Sequence, residues 1–317
     1  MDLDLAQVRA FVCVAEHGHF GRAATALFLT QQALSKRIQR LERALGATLL
    51  ARGPGGVRLT EAGRSFLPYA TTLLADADVA IAAANPGTRP LRIDTWSMVL
   101  APLRVVRRIT ESNPELVVET SMRRNFPAAL QALRDGEIDV AFGRVPDLGQ
   151  PWPAGIARRP VIHEPCGIFL GTGSVQADAR VLGLHELGGS VWVPAGGSSP
   201  EAVGWYRRFA EEFGVAYDGS GQNLGLDGYF AHLRTHPKVF SVFPLAWATL
   251  VGAEVRVVPA EPAPIYRWWL AWRADDTHPR LQLLLDRAQA IGQAEGWLAV
   301  EPGRHWLPSA DLEVDNR

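Results

Sequence analysis

The feature that most constrains the fold is the segment from residue 20 to residue 63, which reads FGRAATALFLTQQALSKRIQRLERALGATLLARGPGGVRLTEAG. Residues 21–27 favour a short helix, and a second helix starts after Thr30, an N-cap residue type, and ends at Gly46. Apolar residues recur along the second helix at spacings of four, three and four: Leu34, Ile38, Leu41 and Leu45. At about 100° per residue they lie on one narrow stripe, which indicates burial against the preceding helices.

The opposite face of this second helix predicts contact with DNA. It carries amides, a hydroxyl and three cations but no carboxylate: Gln32, Ser35, Lys36, Gln39, Arg40 and Arg43. Glutamine reaches adenine edges, lysine and arginine reach guanine edges or phosphates, and a short serine suits a phosphate. The alternative is an ordinary solvated surface helix, and the neighbouring elements favour DNA binding over it.

Those neighbouring elements complete a recognisable motif. Residues 5–16 favour an additional helix with an apolar face, and the small residues Ala23 and Ala24 permit close helix crossing. Residues 48–51 and 57–59 favour strands on either side of a Gly-Pro-Gly-Gly turn. The arginines that bracket this turn can lie along phosphates or enter the minor groove. This order predicts a winged helix-turn-helix.

Residues 1–65 resemble the N-terminal domain of LysR-type transcriptional regulators. The residues that carry the resemblance are Arg22-Ala23-Ala24, Gln31, Ala33-Leu34-Ser35, Ile38, Leu41-Glu42, Leu45-Gly46, Leu49, Arg52 and Leu59-Thr60-Glu61-Ala62-Gly63. The resemblance implies base contacts near Gln31 and Gln32, phosphate or base contacts from Ser35 and Lys36, and a wing contact from Arg52. Gln32 stands where the family usually has proline. The expected DNA-binding set is Arg22, Thr30, Gln31, Gln32, Ser35, Lys36, Gln39, Arg40, Arg52 and Arg58.

Charge is distributed unevenly along the 317 residues. Residues 1–65 hold nine Lys or Arg against five Asp or Glu, a net charge of +4, whereas the remainder holds 23 against 28, a net charge of −5. A basic head on an acidic body fits DNA binding at one end. No apolar run is long enough to span a membrane, and the acidic N-terminus does not resemble a signal segment, so we expect a cytoplasmic protein.

Residues 60–85 favour a long helix that ends at Asn85-Pro86-Gly87. Large and small apolar residues alternate along it in a heptad pattern, which predicts a dimerisation seam: Leu67, Ala70, Leu74, Ala77 and Ile81. The alternative is a helix packed on its own domain. Because one recognition helix reads few base pairs, we expect a homodimer, and the resemblance implies a homotetramer.

The rest of the chain alternates strand and helix, which predicts open parallel sheets with ligand sites at the strand ends. Strands are expected at residues 91–93, 116–120, 138–143, 167–170, 191–193, 239–243, 255–258 and 265–272, and helices at 99–111, 127–134, 200–213, 225–234 and 279–293. The segment ALQALRDGEIDVAFGR (residues 129–144) also resembles the effector module of the family, a two-lobed α/β fold similar to periplasmic binding proteins.

These assignments divide the chain into four parts. The predicted α/β architecture has a winged helix-turn-helix at 1–59, a linker helix at 60–88, an effector domain at 89–300 and a loosely held polar tail at 301–317. Within the effector domain, lobe one comprises 89–160 and 267–300, and lobe two comprises 161–266.

The ligand cleft is expected between the lobes. Its expected residues leave the strands or begin helices: Thr95, Trp96, Ser97, Arg123, Asn125, Phe142, Arg144, Ser198 and Ser199. A hydroxyl before the helix N-terminus near Val99 is suited to an anion. These residues predict a small anionic effector with an aromatic or apolar portion held by Trp96 and Phe142.

Other chemistries receive little support from the sequence. His232 and His236 are four residues apart but have no third metal ligand, and Cys13 and Cys166 lack the spacing of a redox pair. No nucleophile elbow or phosphate loop is present. We therefore expect neither an enzyme nor a cofactor, but a regulator that binds an interrupted palindrome, a small effector and RNA polymerase. The alternatives are an architectural DNA-binding protein, or an enzyme or binding-protein module fused to a DNA-binding head.

Overall fold

The structure is a computed structural model that describes residues 3–27, 29–53, 56–84, 89–194 and 199–313, and the side chains there apart from 52, 53, 56, 75, 76, 78, 79 and 81–84. The chain divides into two compact units, Met1–Thr88 and Arg89–Arg317. In the described part of the chain, no helix is both long and apolar enough to cross a membrane.

The N-terminal unit is a winged helix-turn-helix followed by a long helix. Its elements are α1 (Leu5–His17), α2 (Phe20–Ala26), α3 (Gln31–Leu45), the antiparallel strands β1 (Leu50–Gly53) and β2 (Gly56–Leu59), and α4 (Glu61–Ala84). The predicted stripe of α3 is buried at Leu34, Ile38 and Leu41 and packs with α1 and α2 in one core. The Thr30 hydroxyl accepts from the Ala33 N–H at 3.2 Å, and Gly46 ends α3 with φ 66°.

The seam predicted on α4 is buried within its own unit. Ala70 is fully buried and Leu74 is 7% exposed, both in the core formed with α1 and α3, and Leu67 packs against that core. The expectation that Ala70 and Leu74 face a partner helix is therefore corrected, because a heptad pattern identifies an apolar stripe but not the surface that covers it. Leu67 is half-buried, and its contact with a partner stays a prediction. Ala77 is half-buried, and the Ile81 side chain lies outside the described residues.

The C-terminal unit alternates strands and helices. Its strands are β3 (Leu91–Asp94), β4 (Val118–Ser121), β5 (Val140–Gly143), β6 (Ile156–Gly171), β7 (Leu182–Gly183), β8 (Ser190–Trp192), β9 (Ala216–Asp218), β10 (Val239–Pro244), β11 (Val255–Val258), β12 (Ala260–Glu261), β13 (Ala263–Arg273) and β14 (His305–Trp306). Its α-helices are α5 (Ala101–Glu111), α6 (Phe126–Arg134), α7 (Pro200–Phe213), α8 (Gly225–Thr235), α9 (Pro279–Glu295) and α10 (Ser309–Glu313), with 3-10 turns at Leu184–Glu186 and Leu245–Thr249.

Two lobes share the long strands β6 and β13. Lobe one has the strand order β4-β3-β5-β13-β6, and lobe two continues from the second half of β6 through β10, β8 and β9. The outer strands pair in parallel as predicted, but β13 pairs antiparallel to β5 and β6, and β10 pairs antiparallel to β6. The sheets are therefore mixed, which corrects the expectation of purely parallel sheets.

The length of β6 also differs from the prediction of a strand at 167–170. The strand begins at Ile156, in a stretch whose arginines, histidine, glutamate and prolines hide the strand pattern. Its first part pairs antiparallel with β13, and the buried polar side chains of His163 and Glu164 have partners there, so tertiary contacts override local propensity.

The tail is packed against lobe two, which corrects the expectation of a loose segment for residues 301–313. Strand β14 pairs with Ala263 and Pro264 of β13, and Trp306 lies 5.3 Å from the Trp205 ring. Asp311 on α10 is fully buried. The polar composition of the tail predicted a loose segment because Trp306 and Asp311, which anchor it, form no recognisable pattern in the sequence. Residues 314–317 lie outside the described residues.

Candidate DNA-binding face and effector cavity

The predicted DNA-binding face of α3 lies on the solvent side of the N-terminal unit. The side chains of Gln31, Gln32, Lys36, Gln39 and Arg40 are exposed, and Ser35 is half-buried. Because the opposite stripe is anchored in the core, this face is held outward as one surface. A rigid row of amides and cations is the arrangement that base-edge and phosphate recognition requires.

Two of the other predicted DNA-binding residues, Arg22 and Thr30, form hydrogen bonds within the protein. The Arg22 guanidinium donates to the His17 carbonyl oxygen at 2.6 Å, at the end of α1. The Thr30 hydroxyl is occupied as the α3 cap. Arg58 on β2 is exposed, whereas the side chain of Arg52 lies outside the described residues. The structure therefore brings the α3 residues together, with Arg22 and Thr30 in structural contacts.

Glu42 joins the recognition helix to the wing, a role that sequence analysis did not assign. Its Oε1 accepts from the backbone N–H groups of Leu49 and Leu50, at 2.7 and 3.1 Å. These two contacts fix the start of β1 relative to α3. Its signal in the sequence was that it is the carboxylate within an otherwise cationic and apolar helix.

A cavity of about 220 Å³ lies between the lobes of the C-terminal unit. Lobe one and the shared strand contribute Trp96, Leu100, Tyr266 and Trp268; lobe two contributes Pro194, Ala202, Tyr206, Asn223, Gly225, Leu226, Tyr229, Phe243, Pro244 and Trp247. The space is partly enclosed, and half of its described lining residues are aromatic. A concave, largely apolar space with a few polar groups is typical of a small-molecule site. We take it as the candidate effector cavity.

Of the expected effector residues, Trp96 lines this cavity. Thr95 is buried at the end of β3, and the neighbouring Ser97 hydroxyl accepts from the Val99 N–H at 3.3 Å. Phe142 is buried in the core of lobe one and is not among the described residues that line the cavity. Ser199 is buried at the start of α7, and Ser198 lies outside the described residues.

The three remaining expected residues are engaged within the protein. Arg123 forms ion pairs with Asp94 at 3.3 Å and Glu137 at 2.8 Å. Asn125 is the N-cap of α6, with its Oδ1 accepting from the Ala128 N–H. Arg144 is fully buried and pairs with Asp311 at 2.6 Å. None of the three is among the described residues that line the cavity, so their expected contact with an effector is corrected.

The N-terminus of α5, expected to receive an anion, is occupied by Glu164 of β6. Its Oε1 accepts from the Ala101 N–H at 2.9 Å and from Arg104 Nη2 at 3.0 Å, and its Oε2 accepts from Trp268 Nε1 at 2.7 Å. Burial raises the pKa of Glu164 against the opposing effect of Arg104. The positive end of the helix thus interacts with the protein's own carboxylate.

Sequence analysis did not assign most of the aromatic wall. Tyr206 and Tyr229 come from helices of lobe two, Phe243 and Trp247 from the region of β10, and Tyr266 and Trp268 from β13. For the residues of β13, the sequence analysis predicted a strand at 265–272 and no contact with a ligand. Its strongest sequence signal was the density of aromatic residues between 265 and 273.

Comparison with known proteins identifies the family. The sequence profile described as "Bacterial regulatory helix-turn-helix protein, lysR family" matches residues 5–64. The chain is 37% identical over 232 residues to the "SDS degradation transcriptional activation protein" of Pseudomonas sp., covering 68% of this chain and 72% of that protein. It is 30% identical over 315 residues to the "HTH-type transcriptional regulator IlvR" of Caulobacter vibrioides, covering 92% and 99%.

The chain belongs to the LysR family. It is a LysR-family DNA-binding transcriptional regulator, and its relatives are transcriptional regulators. Among solved structures, full-length CbnR in complex with its target DNA aligns with a TM-score of 0.59 at 20% identity, covering 91% of this chain and 99% of that one. Full-length BenM aligns with a TM-score of 0.54 at 22% identity, covering 95% and 100%. These structures show the same fold.

Both thiols of this LysR-family regulator are buried, and His232 and His236 take part in ring stacking. Burial raises the pKa of Cys13 and raises that of Cys166 well above its usual range, which disfavours the reactive thiolate. His232 stacks between Trp192, at 3.8 Å, and His236, at 3.9 Å. No group of three or more metal-binding side chains occurs in the part of the chain that the structure describes.

The first residues of the C-terminal unit are bound by the buried carboxylate of Asp139. Asp139 is fully buried and pairs with Arg89 at 2.6 Å, Arg92 at 3.0 Å and Arg273 at 3.4 Å. Burial by itself raises the pKa of Asp139, but hydrogen bonds from Arg89 and Arg92 outweigh it and hold the pKa well below the ordinary value. The ionised carboxylate therefore stabilises the fold.

We expect Asp139→Asn to lower the free energy of unfolding by about 2 kcal/mol at neutral pH. Because the folded pKa lies below the unfolded value of 3.8, this stabilisation is fully present above that value and is lost as the pH falls towards the folded pKa. The difference between wild type and variant, measured by urea unfolding, should therefore shrink below about pH 4. A difference that stayed constant across this range would contradict the ion-pair assignment.

Proposed function

We propose that this LysR-family regulator binds an interrupted palindrome as a homodimer or homotetramer, with each recognition helix α3 in a major groove. The observation that carries the proposal is the exposed face of α3, with Gln31, Gln32, Lys36, Gln39 and Arg40 held outward by the buried stripe behind them. One such helix reads few base pairs, and a symmetric pair doubles the site. Ser35 and the wing residues Arg52 and Arg58 are proposed to contact the phosphates or the minor groove.

We propose that each predicted segment of the chain has its own function. Residues 1–59 bind DNA, 60–88 connect and pair the subunits, and 89–300 respond to an effector. Since Ala70 and Leu74 are buried in their own unit, pairing requires the other face of α4, where the Tyr69 side chain is 76% exposed. A large exposed aromatic side chain on a helix is typical of an interface residue.

The proposed signal is a small organic molecule in the interlobe cavity. The expected anionic character receives no support from the described wall, which has no Lys, Arg or His. A ligand that contacts both lobes favours one interlobe arrangement over another. A coupling free energy of about 1–3 kcal/mol between effector binding and DNA binding is sufficient to change how the two DNA-binding domains of a dimer bind DNA. The proposed consequence is altered DNA bending and contact with RNA polymerase.

The proposal is tested by comparing two variants of the α3 face on specific and nonspecific DNA. Gln32→Ala should weaken binding selectively at one or two base positions, because an amide reads base edges. Lys36→Ala should weaken binding on all sequences and reduce the salt slope by about one unit. Arg107→Ala removes the same charge from an exposed position of α5 and serves as the control. A uniform loss in Gln32→Ala would contradict its assignment to base reading.

A DNase footprint on the DNA upstream of the coding region, at two salt concentrations and with competitor DNA, tests the binding mode. We expect protection of an interrupted palindrome spanning several helical turns. Uniform coating that disappears with salt would instead favour the architectural alternative.

A further inference from the structure

The described wall of the interlobe cavity is rich in aromatic residues and carries no charged side chain. Seven of its fourteen described lining residues are Trp, Tyr or Phe, and none is Lys, Arg, His, Asp or Glu. The cavity measures about 220 Å³. Since an apolar protein cavity of about 150 Å³ takes up benzene, this space accommodates one aromatic ring with a short substituent.

Three polar groups of the lining residues are already hydrogen-bonded within the protein. The Tyr206 and Tyr229 hydroxyls lie 2.7 and 2.8 Å from backbone carbonyl oxygens of lobe two. Trp268 Nε1 donates to Glu164 Oε2 at 2.7 Å, and that carboxylate is itself paired with Arg104 at 3.0 Å. These groups have little hydrogen-bonding capacity left for a ligand.

The other polar side chains of the described wall are uncharged. The Nε1 atoms of Trp96 and Trp247 are buried, with almost no surface that a ligand can reach, so hydrogen bonds to these indoles do not contribute to binding. The Tyr266 hydroxyl and the Asn223 amide are neutral, and Asn223 is exposed to solvent. An ionic group that entered this space would lose hydration without gaining an oppositely charged partner from the described wall.

The exposed side of the cavity is also largely apolar. Three lining residues are exposed, and they lie together where α8 begins: Asn223, Gly225 and Leu226. The Leu226 side chain is 38% exposed, and Leu224, between two of these lining residues, is 72% exposed. Asp227 follows in the first turn of α8, where a carboxylate interacts with the positive end of the helix. Apolar side chains next to a carboxylate favour entry of a neutral apolar molecule over entry of an anion.

We propose that the effector is an uncharged, apolar molecule with one aromatic ring and a short alkyl substituent. This inference rests on the proposed effector function of the cavity. Such a molecule packs its ring carbons against the aromatic wall and leaves water without losing hydrogen bonds. Because Trp96 belongs to lobe one and Tyr206 to lobe two, the same ligand contacts both lobes.

The test compares three probes that have the same number of heavy atoms and differ in charge. Cumene is neutral and apolar, benzoate is an anion and benzamidinium is a cation. Sealed equilibrium dialysis against the full-length protein gives the Kd of each probe directly. We expect cumene to bind at least about 30-fold more tightly than either ion, because neither ion finds an oppositely charged partner in the described wall.

Two variants locate the binding site and test the role of charge. Ala202→Leu fills part of the cavity and should weaken cumene binding by more than about 10-fold. Ala290→Leu adds the same volume at an exposed position of α9 and should leave cumene binding within about twofold. Leu226→Lys brings a cation to the exposed side of the cavity and should improve benzoate binding relative to cumene by about 10-fold. Since Leu226 is partly exposed, this variant remains informative if Ala202→Leu fails to fold.

The outcomes separate this inference from the proposed function. Tighter binding of either ion than of cumene, lost in Ala202→Leu, would overturn the apolar inference and leave the effector cavity intact. Probe binding that Ala202→Leu and Leu226→Lys both leave unchanged would place the ligand outside the cavity, and the effector assignment of the cavity would then fail as well. If no probe binds up to its solubility limit, the apolar inference is wrong, whereas the DNA-binding proposal still depends on the footprint.

Discussion

Replacing Asp311 with alanine is expected to lower the free energy of unfolding of the C-terminal unit by about 3–5 kcal/mol. Asp311 and Arg144 are both fully buried and their side chains meet at 2.6 Å. The substitution leaves the Arg144 guanidinium in the interior with Asp147, at 2.8 Å, as its remaining carboxylate. A buried charge without sufficient compensation is strongly destabilising. Urea unfolding followed by tryptophan fluorescence measures the change.

The same network explains why a distant tail residue should affect the effector response. Arg144 Nη1 also donates to the Glu201 carbonyl oxygen of α7 at 3.0 Å, and Arg267 Nη1 donates to the Asp311 carbonyl oxygen at 2.6 Å. The tail thus connects the end of β5, helix α7 and strand β13. We expect Asp311→Ala to weaken the effector response along with stability.

Two further variants test the Asp311 assignment. Glu313→Ala removes an exposed carboxylate from the same helix and should change the free energy of unfolding by less than about 0.5 kcal/mol. Replacing the pair together, as Arg144→Met with Asp311→Leu, should recover much of the loss, since no buried charge is left alone. Equal effects of Asp311→Ala and Glu313→Ala would show that the tail does not anchor the fold.

The second large effect is expected at Gly63. A Cβ there would lie 2.1 Å from the Leu49 carbonyl oxygen, a backbone atom that cannot rotate away. That oxygen accepts from the Thr60 N–H at 2.9 Å and from the Thr60 hydroxyl at 3.1 Å. Gly63→Ala must therefore displace either the start of α4 or the wing. We expect a loss of about 3 kcal/mol in the N-terminal unit together with weakened DNA binding.

Gly46→Ala is the matched control for the Gly63 variant. A Cβ at Gly46 meets nothing within 4 Å, but the residue has φ 66°, so the substitution strains the backbone without a collision. We expect a loss of about 1 kcal/mol. Thermal unfolding and DNA binding of both variants would be compared. A Gly63 variant as stable as the Gly46 variant would rule out the close backbone approach.

The helix-turn-helix was predictable from sequence because its information is local. The N-cap Thr30, the apolar stripe from Leu34 to Leu41 and the terminating Gly46 each act within one helix, and the structure has all of them. The strand and helix alternation of the larger unit was predictable for the same reason. The sequence did not predict which surface covers the apolar stripe of α4. Ala70 and Leu74 could pack equally well against a partner subunit or against their own domain, and they pack against their own domain.

The sequence by itself determined the family, the fold class and which residues of α3 are exposed and which are buried, since helix periodicity and capping depend on neighbours a few positions apart. Tertiary structure alone decided the composition of the cavity. Trp96 and Trp268 are 172 positions apart yet their rings lie 5.9 Å from each other. It also decided that Arg144 pairs with a tail carboxylate instead of facing the cavity. Side chains that are far apart in the chain become neighbours only when the two lobes fold around β6 and β13. No local sequence pattern predicts these contacts.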